Sequence, residues 1–177
     1  EFQTRSGQDM VPVSDVARLG QSIRTLGVIH DILTQESKQE GEASVISGKK
    51  VLTRLLSLME NSLEPRRLLV ELADISLPGK QATSLALITN ELVSNAIKHG
   101  KGDIGVTLDQ EGDIAVFTVS DDGPGFPKDF DPMKAANTGL ELIENIARYD
   151  LQGETHYSAR PHGGARVTLK FPVSGTA

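Results

Sequence analysis

The sequence contains no cysteine and no tryptophan, and only 4% of its 177 residues are aromatic. The absence of cysteine excludes a disulfide framework, thiolate chemistry and cysteine-ligated zinc. The scarcity of aromatic rings argues against a surface on which nucleic-acid bases stack.

Positive charge is also scarce. Eighteen Lys and Arg residues against 24 Asp and Glu residues give a formal net charge of −6. No stretch is basic enough for a general nucleic-acid binder. No apolar run approaches the roughly 18–20 residues that span a bilayer, and no signal peptide opens the chain. We therefore expect a cytoplasmic protein that contacts neither nucleic acid nor a membrane.

The N-terminal quarter of the sequence predicts a tail followed by a helical hairpin. Residues 1–13 are polar and are expected to be flexible. Apolar positions recur at helical spacing over 14–36, and His30 falls on this apolar stripe, where a packed histidine is expected. A second helix is expected to carry Val45 on its buried face and to end near 61–65. Such a hairpin suits packing against another helix.

The rest of the chain alternates between strand and helix patterns. Strands arranged mostly as antiparallel hairpins are separated by helical segments, which predicts an α+β fold with a mixed sheet covered by helices on one face. The predicted strands are 68–72, 104–108, 114–119, 154–159 and 165–171, and the predicted helices are 81–99 and 139–149.

The first motif that suggests chemistry is NELVSNAIKHG at 90–100. Glu91, Asn95 and Lys98 are spaced so that all three fall on one helical stripe, beside an apolar face. An amide oxygen suits Mg²⁺ and a lysine neutralises phosphate. An ordinary polar helix edge would produce the same spacing, so this motif alone leaves both interpretations open.

The second motif is SDDGPGFP at 120–127, directly after a predicted strand. Asp121 would be fixed by the sheet, and Gly123 and Gly125 would let the backbone approach a planar ligand closely. Such a carboxylate can accept a hydrogen bond from an exocyclic amine such as that of adenine. A simple Pro-Gly turn is the alternative. A dinucleotide-binding fingerprint fits poorly because no helix starts directly after the glycines.

The third motif is NTGLELIENIA at 137–147. It places Thr138 and Gly139 at a predicted helix N-terminus, where free N–H groups and the helix dipole favour a phosphate. Plain helix capping is the alternative interpretation of this element.

In combination, the three motifs resemble the nucleotide-binding domain of the GHKL superfamily, which includes sensor histidine kinases, type II topoisomerases, Hsp90-like chaperones and mismatch-repair ATPases. The sequence LALITNELVSNAIKHG, together with SDDGPGFP, is most similar to sensor histidine kinases, in particular to the short-lid subgroup related to the HWE kinases. The resemblance covers roughly 45–175. It implies the Bergerat fold, a two-layer sandwich of a mixed sheet and helices, here preceded by the helical hairpin.

The resemblance implies ATP and Mg²⁺ as cofactors and assigns roles to the residues of the first two motifs. Asn95 would coordinate Mg²⁺, Glu91 would occupy the catalytic acid or base position, and Lys98 would reach a phosphate. Asp121 would accept a hydrogen bond from adenine. Gly123 and Gly125 would shape the base pocket.

The third motif would close the phosphate side of the site. Thr138, Gly139 and Leu140 would lie over the phosphates, and 126–138 would form an ATP lid that is mobile without nucleotide.

The resemblance further implies transfer of the ATP γ-phosphate to a histidine, then to a response regulator, by a homodimer that pairs through its N-terminal helices. Residues 14–44 would be part of the dimerisation region and 45–177 the catalytic domain. Since the chain starts with Glu1 rather than Met, we expect a fragment. The stretch SIRTLGVIHDILTQ resembles the second dimerisation helix of the short-lid subgroup, which implies an acceptor histidine on a preceding helix, upstream of Glu1. His30 is a second candidate, because His30 and Asp31 resemble another acceptor box.

Two other functions remain open at this point. An anti-sigma-type serine kinase shares the fold, although such proteins need no helical hairpin. A nucleotide-gated dimerisation module without transferase activity is the second. The single glycine of the phosphate loop and Ala165, where the family commonly has threonine near the adenine, leave room for it.

Overall fold

The computed structural model describes residues 27, 29–31, 34, 45–60, 63, 65–132 and 138–173. A five-stranded mixed sheet and the helices that cover one of its faces form the α+β fold that the sequence predicts. The helices are α1 (Gly48–Glu60), α2 (Gly79–His99) and α3 (Thr138–Asn145), and α3 continues into a π-helical turn at Ile146–Asp150. The strands are β1 (Val45–Ser47), β2 (Leu68–Leu72), β3 (Ser76–Pro78), β4 (Ile104–Glu111), β5 (Ile114–Ser120), β6 (Glu154–Ala159) and β7 (Ala165–Pro172).

The main sheet has the strand order β2-β4-β5-β7-β6. Only β2 and β4 pair in parallel, and the other neighbours are antiparallel. Strands β1 and β3 form a separate antiparallel pair that the sequence pattern did not reveal. The central position of β5 matters for function, because the second motif starts at its last residue.

The core lies between the sheet and the helices. On β5 the buried positions alternate strictly, with Ala115, Phe117 and Val119 facing the helices and the intervening residues only half-buried. Helix α1 turns its apolar stripe toward the same core, while α2 is buried along most of its length. Burial on this one face fixes the register of the strands and therefore the position of the loops that follow them.

Two predictions for the N-terminal region are wrong. Val45 lies in β1 and is 43% exposed, because helix α1 begins only at Gly48, whose N–H donates to the Ile75 carbonyl at 2.8 Å. His30 is not packed on an apolar stripe, since its side chain is 79% exposed and its neighbour Ile29 is the buried residue. The predicted tail, 1–13, lies outside the described residues.

The C-terminal predictions are confirmed with small shifts. Strands β6 and β7 form the expected hairpin. The last helix is shorter than predicted as an α-helix, because the backbone widens so that the Leu151 N–H donates to the Ile146 carbonyl, five residues earlier. Among the described residues, no helix is both long and apolar enough to cross a membrane.

The core of the sheet gives a direct stability prediction. Replacing Phe117, which is fully buried, with alanine should lower the free energy of unfolding by about 3–5 kcal/mol because it leaves a cavity. Ile114→Ala on the same strand, at a position that is 36% exposed, should cost less than about 1 kcal/mol. Urea unfolding of the two variants measures the difference, and equal losses would contradict this placement of the core.

Candidate functional site

A cavity of about 320 Å³ lies between α2, the end of β5 and the start of α3. Most of its wall is apolar, with Leu92, Val119 and Leu140 among the lining residues. The polar side chains at the wall include those of Asn95 and Asp121, from the first and second motifs. The fold therefore brings together Asn95 and Asp121, which lie 26 residues apart in the sequence.

Asp121 is the most constrained of these side chains. It follows the last residue of β5 and is only 6% exposed. Its backbone N–H donates to the Ala165 carbonyl of β7 at 3.0 Å, and its Oδ1 accepts the Gly123 N–H at 2.7 Å. The sheet thus fixes the backbone of this residue, and the following turn orients its carboxylate at the cavity wall.

Glycines surround Asp121 at contact distance. A Cβ on Gly100 would lie 2.5 Å from the Asp121 Cγ, and one on Gly123 would lie 2.7 Å from its Oδ1. A Cβ on Gly164 would lie 1.9 Å from the Asp121 carbonyl oxygen, and Gly164 has a φ of +99°. Any side chain at these three positions would displace the acid, so the glycines define the space that it occupies.

Helix α2 places the residues of the first motif differently from one another. Asn95 is half-buried and lines the cavity. Glu91, one turn earlier, is 9% exposed, does not line the cavity, and accepts a hydrogen bond from the Asn90 side chain at 3.3 Å. Lys98 is exposed in the last turn and does not line the cavity either. All three residues lie on α2, and of these three only Asn95 lines the cavity.

The third motif closes the other side of the cavity. Helix α3 begins at Thr138, Gly139 is buried, and Leu140 lines the cavity. Within the predicted lid, Phe126 and Phe130 also line the cavity. Residues 133–137 lie outside the described part of the chain, so the mobility expected for the lid stays a prediction.

Three features of the site were missed by sequence reasoning. Gly100, the C-cap residue of α2, lines the cavity beside His99, for which the sequence already left a pocket-lining role open. Arg160, in the β6–β7 turn, donates from Nη1 to the Asp121 carbonyl at 3.2 Å and forms an ion pair with Asp122. No linear signal could have found this contact, because it depends on β7 pairing beside β5.

The third missed feature is a cluster of aromatic rings, Phe126, Phe130 and Tyr157. The ring centroids of the two phenylalanines lie 4.4 Å apart, and each lies 5.5 Å from the Tyr157 ring. The Tyr157 hydroxyl donates to Oε1 of Glu144 on α3 at 2.8 Å. Burial, together with this carboxylate, raises the pKa of Tyr157 far above its ordinary value.

A comparison with models of known protein families identifies the family of this chain. A model of the histidine kinase-, DNA gyrase B- and HSP90-like ATPases matches residues 80–175, more than half of the 177 residues. The chain belongs to this ATPase family. The match begins within α2 and includes all three motifs. The narrower HWE-related assignment stays a prediction.

Relatives of this ATPase domain include sensor kinases. The chain is 24% identical over 160 residues to the sensor histidine kinase PdtaS of Mycobacterium tuberculosis, an alignment that covers 85% of this chain and 31% of PdtaS. It is 30% identical over 108 residues to the nitrate/nitrite sensor protein NarX of Escherichia coli, covering 60% of this chain and 18% of NarX. The chain therefore spans about a third or less of the length of these relatives.

Solved structures share the fold. The histidine kinase domain of the blue-light activated histidine kinase from Erythrobacter litoralis aligns with a TM-score of 0.72 at 22% identity, covering 86% of this chain and 75% of that one. The histidine kinase AdeS of Acinetobacter baumannii aligns with a TM-score of 0.66 at 19% identity, covering 92% and 81%.

The residues at the cavity fit the nucleotide that the family name implies. Apolar walls with one buried carboxylate suit a purine ring that carries an amino group. For a divalent ion, the described residues offer no group of three or more His, Cys, Asp or Glu side chains. Asn95 at the wall instead fits Mg²⁺, which takes one or two protein ligands and completes its octahedron with phosphate oxygens and water.

Two neighbouring glycines provide a matched test of the packing around Asp121. Gly163 and Gly164 both have positive φ, of +94° and +99°, but a Cβ on Gly163 would meet nothing within 4 Å. Gly163→Ala should therefore cost only the backbone strain of about 1–2 kcal/mol. Gly164→Ala should cost about 2–3 kcal/mol more, because the new Cβ overpacks against the Asp121 backbone. Urea unfolding distinguishes them, and equal costs would refute the close packing.

Proposed function

We propose that this chain is the ATP-binding catalytic part of a sensor histidine kinase, which transfers the γ-phosphate of ATP to a histidine for relay to a response regulator. The proposal rests on the buried Asp121 carboxylate, which lies among glycines at the wall of the cavity. Asn95 lines the same cavity. The family match and the names of the relatives support the same function.

The adenine would lie at the Asp121 end of the cavity. Its exocyclic amino group would donate to the carboxylate, while Leu92 and Val119 contribute apolar surface around the ring. A hydrogen bond to a buried charged group is stronger than one between neutral partners and is costly to leave unmade. This single contact would therefore distinguish adenine from bases that lack the amino group.

The phosphates would lie between α2 and the N-terminus of α3. Gly139 and Leu140 stand at that helix start, where backbone N–H groups favour anions. Asn95 would bind Mg²⁺, which offsets the charge of the phosphates when it is bound. Lys98, exposed at the end of α2, would reach a phosphate from outside the cavity wall. Glu91 would keep the acid or base role, one turn from Asn95.

Transfer needs an imidazole nitrogen in line with the γ-phosphate. The nitrogen attacks phosphorus, the bond to the bridging oxygen breaks, and ADP leaves, so the protein contributes mainly positioning and charge. We assign the acceptor to a histidine on a preceding helix of a homodimer. His30, exposed and with its Nδ1 3.8 Å from Oδ1 of Asp31, is the alternative acceptor within this chain.

The binding part of the proposal has a direct test. Asp121→Asn, which keeps the shape of the side chain, should weaken ATP binding by about tenfold to a hundredfold, because a charged hydrogen bond to adenine is lost. Asn95→Ala should weaken the dependence of ATP binding on Mg²⁺. Asp109→Asn, exposed on β4, is the matched control and should bind as the wild type does. Calorimetric titration measures all four proteins, and unchanged affinity in both site variants would refute the assignment.

The transfer part needs a separate experiment. The chain is incubated with γ-labelled ATP and with a histidine-bearing dimerisation helix from a relative, then treated with acid. We expect label on the supplied helix that is lost in acid, as phosphohistidine is. Acid-stable label would indicate a serine kinase, and tight ATP binding without label would indicate a nucleotide-gated module. Label on the chain alone, lost in His30→Ala, would move the acceptor to His30.

A further inference from the structure

The aromatic cluster of Phe126, Phe130 and Tyr157 lies behind one wall of the cavity. The two phenylalanines line the cavity, whereas Tyr157, on β6, does not. Both phenylalanine rings pack on the Tyr157 ring, and Phe126 meets it edge to face at 83°. Tyr157 therefore supports a wall of the cavity without lining it.

The hydroxyl of Tyr157 also contacts helix α3. It donates to Oε1 of Glu144 at 2.8 Å, and the Thr155 hydroxyl donates to the same oxygen. Glu144 lies on α3, the helix whose first turn carries the cavity residue Leu140. One side chain of β6 thus connects the loop after β5 with the helix that closes the opposite end of the cavity.

The Tyr157 hydroxyl keeps its proton across the ordinary pH range. Burial first, and then the Glu144 carboxylate, raises the pKa of the Tyr157 hydroxyl far above its usual value, so the hydroxyl stays a donor. The rings add a directional contact beyond the burial of their surface. Tyr157 is therefore joined to α3 by a hydrogen bond and to the loop after β5 by ring contacts.

We propose that Tyr157 is a positioning residue for nucleotide binding, whose ring holds Phe126 and Phe130 at the cavity wall while its hydroxyl holds α3. The inference rests on the proposed nucleotide binding at this cavity and adds a residue that makes no nucleotide contact. Because Phe126 and Phe130 both line the cavity and pack on the Tyr157 ring, a nucleotide that contacts them should also change the surroundings of Tyr157.

The composition of the chain makes this coupling measurable. The protein has two tyrosines, and the other one, Tyr149, is 70% exposed on the π-helical turn. Incorporation of 3-fluorotyrosine gives two ¹⁹F resonances, which the Tyr149→Phe variant assigns. On titration with a non-hydrolysable ATP analogue and Mg²⁺, the Tyr157 resonance should shift saturably, and the Tyr149 resonance should stay in place.

Substitutions separate the ring from the hydroxyl. Tyr157→Leu removes both and should weaken binding of the analogue about tenfold, whereas Tyr157→Phe keeps the ring and should weaken it about threefold. Tyr149→Phe is the matched control and should bind as the wild type does. Thermal unfolding of each variant is measured beside the titrations. If Tyr157→Leu does not fold, the affinity of Tyr157→Phe for the analogue is the test.

The outcomes keep this inference distinct from the proposed function. Wild-type affinity in both Tyr157 variants, or a Tyr157 resonance that does not move at saturating analogue, would overturn the positioning role and leave nucleotide binding intact. A wild-type chain that binds neither ATP nor the analogue would overturn the proposed function, and this inference with it.

Discussion

The rest of the site depends on the packing of Asp121 against glycine backbone. Its carboxylate occupies a space in which Gly100 and Gly123 can carry no side chain, and its carbonyl oxygen lies against Gly164. These three glycines come from the end of α2, the turn after β5 and the turn before β7. One buried acid therefore requires three separate segments to approach closely, and the sheet order that places β5 between β4 and β7 makes that approach possible.

The same constraint explains why the ligand side of the molecule is assembled around the ends of α2 and β5. A buried carboxylate needs partners, and within the protein the Gly123 N–H supplies one at 2.7 Å. Arg160 adds a contact to the carbonyl of the same residue. With the backbone fixed from several sides, the acid is held in place before a ligand arrives, which lowers the entropic cost of binding.

Much of this arrangement could be predicted from sequence, because the decisive patterns are local. The position of Asp121 after an alternating strand and the spacing of Glu91 and Asn95 both depend on short-range periodicity. The α+β architecture followed from the order of hairpins and helices. Sequence reasoning failed where pairing between distant strands determines the structure. Val45 lies in a strand because β3 pairs with it. Arg160 reaches Asp121 only because the strands next to them lie in one sheet. His30 was misplaced by one helical position, since Ile29 is the residue that packs.

The central claim is that Asp121 recognises the amino group of adenine, and a comparison of two nucleotides tests it most directly. Inosine triphosphate differs from ATP in the base, where a carbonyl oxygen replaces the amino group and would face the carboxylate. In competition titrations with Mg²⁺ present, the account predicts that the wild-type chain binds inosine triphosphate about a hundredfold more weakly than ATP. Equal affinity for the two nucleotides would contradict it.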